Sequence, residues 1–77
     1  MERLLITRRE LQDWLTAEIQ KDEDCQSCEV RGISKLQELD HDGSNWSSAI
    51  TLNQSGVSVE TIQKAIVAAK QRFNLED

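Results

Sequence analysis

Long apolar runs are missing from this chain. Near its start the longest is Leu4-Leu5-Ile6, far short of the roughly 7 to 15 residues of a signal-peptide core or the ~20 of a membrane span. The expectation is a soluble, cytoplasmic protein with no membrane partner. Basic residues are in the minority, with nine Lys and Arg against 14 Asp and Glu and a net charge of −5. Proteins that grip a phosphate backbone cluster Lys and Arg to release counterions, so nucleic acid is not an expected partner. Low-complexity runs are absent as well. A composition of 38% hydrophobic and 30% charged residues belongs to a globular rather than a disordered chain. At 77 residues, one compact domain over 1–77 with a small core is expected, because a chain near this size buries only about 60% of its unfolded surface.

What is present is organised around one stretch, Asp40-His41-Asp42-Gly43-Ser44-Asn45-Trp46. Asp-Gly between two apolar segments is the strongest short-range hairpin signal in a sequence. The segments are Val30 to Leu39 before it and Trp46 to Leu52 after it. In the first, Val30, Ile33, Leu36 and Leu39 recur every third residue rather than every second, but Gly32 inside the run and the even spacing of Trp46, Ile50 and Leu52 favour strands with a bulge. A two-residue Asp42-Gly43 turn would set Leu39 opposite Trp46 and Ile33 opposite Leu52, stranding Leu36 on the other face. A longer loop from Asp40 to Asn45 removes that defect and is the favoured reading.

A helix flanks the pair on each side. Thr7-Arg8-Arg9-Glu10 has the spacing of a capping box, in which each side chain satisfies an orphan backbone N–H at a helix start. Leu11, Trp14, Leu15 and Ile19 then form an apolar stripe, predicting helix 1 over Thr7 to about Lys21. Arg8 and Arg9 stand awkwardly in its first turn, where cations oppose the helix dipole; they read either as solvated charges or, with Arg3, as a patch for an anion or a partner. Ser58 is the predicted N-cap of helix 2, whose stripe is Val59, Ile62, Ile66, Ala69 and Phe73, with Lys70 and Arg72 suited to the negative terminus and Asn74 to Asp77 expected to fray. Met1 to Ile6 is too short to classify and is left open as an edge strand. The expected fold class is therefore a small two-layer α+β domain of order helix, strand, strand, helix, with both helices on one face of the hairpin.

No motif fixes a reaction, a cofactor or a ligand. Cys25-x2-Cys28 follows a helix rather than starting one, and Asp22, Glu23, Asp24 and Glu29 around it disfavour the thiolate that dithiol chemistry requires. Cys25-x2-Cys28-x12-His41 matches the first three ligand spacings of a Cys2His2 zinc site, but His41 is the single histidine and the fourth ligand has no counterpart. Asp40-x-Asp42-x-Ser44 begins like a calcium loop, yet its glycine, Gly43, is fourth where the pattern puts it sixth, and Thr51 stands at the twelfth position, which the pattern gives to a bidentate Glu. Serines near His41 lack a nucleophile elbow and oxyanion donors. The expected role is a small non-enzymatic protein-interaction or regulatory domain without a cofactor, its recognition loop carrying His41, Asp42, Asn45 and Trp46. The alternative is a metal- or thiol-dependent protein using Cys25, Cys28 and His41. The expected partner is another protein, and the expected state is a monomer or a weak homodimer through an open sheet edge.

Overall fold

The computed structural model describes residues 3–41, 43–54 and 56–76. Seven elements follow in chain order: β1 (Leu4–Ile6), α1 (Arg8–Ile19), a 3-10 turn (Glu23–Cys25), β2 (Val30–Gly32), β3 (Thr51–Leu52), α2 (Val59–Arg72) and β4 (Phe73–Leu75). The result is a small α+β fold with two two-stranded sheets, β1 with β4 and β2 with β3.

Local chemistry sets both helix starts. At α1 the capping box is complete: Glu10 N donates to Thr7 Oγ1 and Thr7 N donates to Glu10 Oε1, each at 3.1 Å. Its stripe buries Leu11, Leu15 and Ile19 fully, and full burial of a leucine-sized side chain contributes about 1.5–3 kcal/mol. α1 ends at Ile19, just short of the expected Lys21. Asp22 then caps the 3-10 turn by accepting from Asp24 N at 3.0 Å. At α2 the Ser58 hydroxyl accepts from Thr61 N, and Ala65, Ile66 and Ala69 are the buried residues. Val59, assigned to the stripe by its spacing, is instead 66% exposed.

The ends of the chain depart most from the sequence-based expectation. Of the segment left open, Met1 and Glu2 lie outside the described residues and Leu4–Ile6 is a strand, pairing in parallel with a strand that periodicity did not show: Leu4 with Phe73, Leu5 with Asn74, Ile6 with Leu75. Helix 2 therefore stops at Arg72 and the chain turns straight into β4, rather than carrying Phe73 in the helix and fraying beyond it. Leu75 is buried, which holds down the end of β4; Asp77, expected to fray, lies outside the described residues. Parallel strands need a long crossover, and here nearly the whole chain serves as one. This arrangement also moves α2. α1 packs on β2 and on α2, whereas α2 packs on α1 and β4, so the helices do not share one face of the hairpin. The ring of Trp14 meets Phe73 edge-on, with centroids 5.3 Å apart and planes at 72°, tying α1 to the start of β4.

In the hairpin, Val30 pairs with Leu52 and Gly32 with Thr51, with the register slipping between them. Farther along, Lys35 bridges Trp46. That register belongs to a loop longer than two residues: Leu39 does not oppose Trp46 and is 64% exposed, and Ile33 does not oppose Leu52. Leu36 is half-buried, its N–H donating to Asn45 O at 2.8 Å. Among the described residues, no helix is long and apolar enough to cross a membrane.

Candidate functional site

The loop from Asp40 to Trp46 closes on itself through one aspartate. Asp40 N donates to Ser44 O at 3.0 Å and Gly43 N donates to Asp40 O at 2.9 Å, while Asp40 Oδ1 accepts from Ser44 N at 3.0 Å. Gly43 sits at φ 85° with its Cα facing the Arg3 guanidinium, where an added Cβ would come within 3.0 Å. The left-handed backbone is what favours glycine there, the arginine tip being free to move aside. The second oxygen of Asp40 holds the Lys70 ammonium of α2 at 3.1 Å. Lys70 also donates to Trp46 O at 2.8 Å and lies 4.9 Å from the Trp46 ring centroid, a cation–π distance.

The loop then seals the outer edge of β4. Asn45 Nδ2 donates to Leu75 O and Asn45 Oδ1 accepts from Leu75 N, both at 2.8 Å, so one side-chain amide makes the pair of bonds a neighbouring strand would make. Asn74 returns the contact, accepting from Asn45 N and donating to Gly43 O. Trp46 Nε1 donates to Phe73 O at 3.1 Å. Of the four residues expected on a recognition loop, His41 is exposed and Asp42 lies outside the described residues. Asn45 and Trp46 are turned inward, with Trp46 0% exposed. This inward placement has a physical cause: β4 supplies the carbonyls and the amide that these two polar-tipped side chains satisfy, and β4 was not legible in the sequence.

The cysteines form a second cluster at the opposite end of the hairpin. Cys25 closes the 3-10 turn, Cys28 N donates to Cys25 O at 3.1 Å, and both thiols are buried and unbridged. Gln54 Nε2 donates to Cys28 Sγ at 3.2 Å. Asn53 clasps the loop, accepting from Glu29 N at 2.8 Å and donating to Ser27 O at 3.1 Å. Burial pushes the Cys25 thiol above its ordinary range, Asp22 and Cys28 adding to the effect against an opposing contact from the Ser58 backbone. A thiol so placed is a poor nucleophile at neutral pH. His41 is not with them; it lines a groove beside α2 with Asp40, Ser48 and Lys70. Among the described residues no three His, Cys, Asp or Glu side chains converge on a metal-sized site, so the Cys25, Cys28 and His41 set is not assembled.

Asp22 joins the two helices. Its Oδ2 accepts from the Thr61 hydroxyl at 2.6 Å. That bond, then the one from Asp24 N, holds the Asp22 carboxyl below the usual carboxylate range, with Lys64 adding to the effect.

Two surfaces escaped the sequence reading. On the outer side of α2, Val59 and Val67 stand 66% and 55% exposed over the groove that also contains His41, a cleft of ≈ 490 Å³. On β1, Leu4 and Leu5 are 67% and 64% exposed. A shallow cleft lined by Arg3, Val67, Lys70 and Gln71 connects the neighbourhood of β1 to that of α2. The signal for the first was Val67, an apolar residue outside the predicted stripe; for the second, it was the Leu4-Leu5 pair itself.

Fold and loop together define the class: a small α+β protein whose polar loop serves as an internal latch between hairpin, α2 and β4. Beyond that class the comparisons add nothing, since no protein-family model, curated protein or solved structure matches this chain.

Proposed function

We propose that the protein is a small non-enzymatic protein-interaction domain whose contact face runs along the outer side of α2, with His41 at its rim, towards β1. One observation carries this reading. Of the large apolar side chains exposed among the described residues, four of the five (Leu4, Leu5, Val59, Val67) lie on these two elements, joined by the cleft at Arg3 and Val67. Scattered exposed apolar residues carry no message, but a grouped set beside polar rims marks interaction surfaces. The side chains of Asp40, Asn45 and Trp46 in the loop, by contrast, are taken up by internal bonds.

The test is a double substitution, Val59→Asp with Val67→Asp. Both sites are exposed, so far-UV circular dichroism and thermal midpoint should stay close to the parent, each change falling within about 0.5 kcal/mol. A protein captured reproducibly by the parent from its native cell extract should be lost by the variant. Equal capture by both forms would remove this face from the proposal.

A further inference from the structure

We infer that the outer edge of β1 receives an extended, acidic segment of a partner protein as an added strand. The inference builds on the interaction reading above and names a partner chemistry for the β1 end of that face. Ile6 O accepts from Glu76 N at 2.9 Å, so Ile6 directs its carbonyl towards β4. Successive residues of a strand direct their backbone groups to opposite sides, which leaves the Leu5 N–H and C=O facing away from β4. The sheet is two-stranded, with three residues in each strand, shorter than a sheet normally runs. Its other edge is occupied by the Asn45 amide and the Trp46 indole. β1 is therefore the edge that offers an unpaired donor and acceptor for strand addition, and Leu4 and Leu5 offer apolar contact on its two faces.

Charge selects the occupant. Arg8 and Arg9 come one residue after β1, past the N-cap Thr7, and are exposed, and among the described residues neither takes part in an ion pair. They stand in the first turn of α1, where cations lower helix stability. A partner strand carrying Asp or Glu would meet them with opposite charge.

The experiment uses the full chain, isotopically labelled, titrated at low salt with a short end-blocked peptide that alternates valine and glutamate. Matched peptides carry lysine for glutamate, or N-methyl groups along one edge. The expected result is saturable amide shifts centred on Leu4, Leu5 and Arg8, weakened by added salt and abolished by N-methylation. Affinity should fall about tenfold with the lysine peptide and with Arg8→Gln combined with Arg9→Gln. The inference is overturned if shifts fall elsewhere, if the arginine variant binds equally, or if the same β1 shifts grow with protein concentration in the absence of peptide, which would make a second copy the occupant. Failure here while Val59→Asp with Val67→Asp still abolishes capture would discard the edge and leave the interaction reading standing; peptide binding at β1 with capture unaffected by that variant would do the reverse.

Discussion

The two outer edges of one small sheet are treated in opposite ways. Along β4, the loop contributes an amide that pairs with Leu75 on both its N–H and its C=O, an indole N–H for Phe73, and an exchange of bonds with Asn74. Along β1, two leucines stand in solvent and the Leu5 backbone groups face outward. An edge left open by default would be open on both sides. That the chain devotes a polar loop to covering β4 and, among the described residues, nothing comparable to β1 is the reason to read β1 as a surface for use.

The largest expected effect lies on the sealed side. Trp46→Ala removes a fully buried ring, its bond to Phe73 O and its contact with Lys70; by urea denaturation it should cost about 3–5 kcal/mol, a large share of the stability of so small a protein. Asn45→Leu keeps the volume but strands the Leu75 N–H and C=O, and should cost about 1–3 kcal/mol. If it costs nothing, the side-chain seal is not what holds β4. Asp22 gives a pH-dependent effect away from both edges. Its folded carboxyl lies below the ordinary value, so its contribution is present above that ordinary value and is lost as pH falls through the folded one. Asp22→Asn should therefore lower stability at neutral pH and flatten the acid limb of the stability profile, read as thermal midpoint against pH. The smallest effect belongs to the open side: Arg8→Gln with Arg9→Gln should raise stability by a few tenths of a kcal/mol per residue at low salt, a difference that salt should erase.

How much of this was legible in the sequence follows from the range of each interaction. Thr7, Glu10 and Ser58 act over three residues, so both helix starts could be read directly. The spacing-three pattern of Val30 to Leu39 pointed to an irregular strand and a long loop, and the register confirms the long loop through Lys35 and Trp46. β4 could not be read, because Phe73 completes the helical stripe, Asn74 to Asp77 read as a frayed end after it, and the strand's pairing partner stands at the other end of the chain. Everything that depended on β4 was misassigned with it. Asn45 and Trp46 look like solvent-facing loop residues until Leu75 and Phe73 are placed beside them, and α2 looks free to lie on the hairpin until β4 draws it towards β1. The alternative set of Cys25, Cys28 and His41 rested on sequence spacing alone, and the fold places the thiols beside Gln54 and the imidazole in the groove beside α2.

The most direct test of the contrast between the edges is native-state hydrogen exchange on the dilute protein, comparing the Leu75 and Leu5 amides. Glu76, whose N–H is held by Ile6 O, reports whether β1 is still paired. The account predicts strong protection at Leu75 and Glu76 together with near-unprotected exchange at Leu5. Protection of Leu5 equal to that of Leu75 would contradict it, since the edge taken here as open would then already be covered.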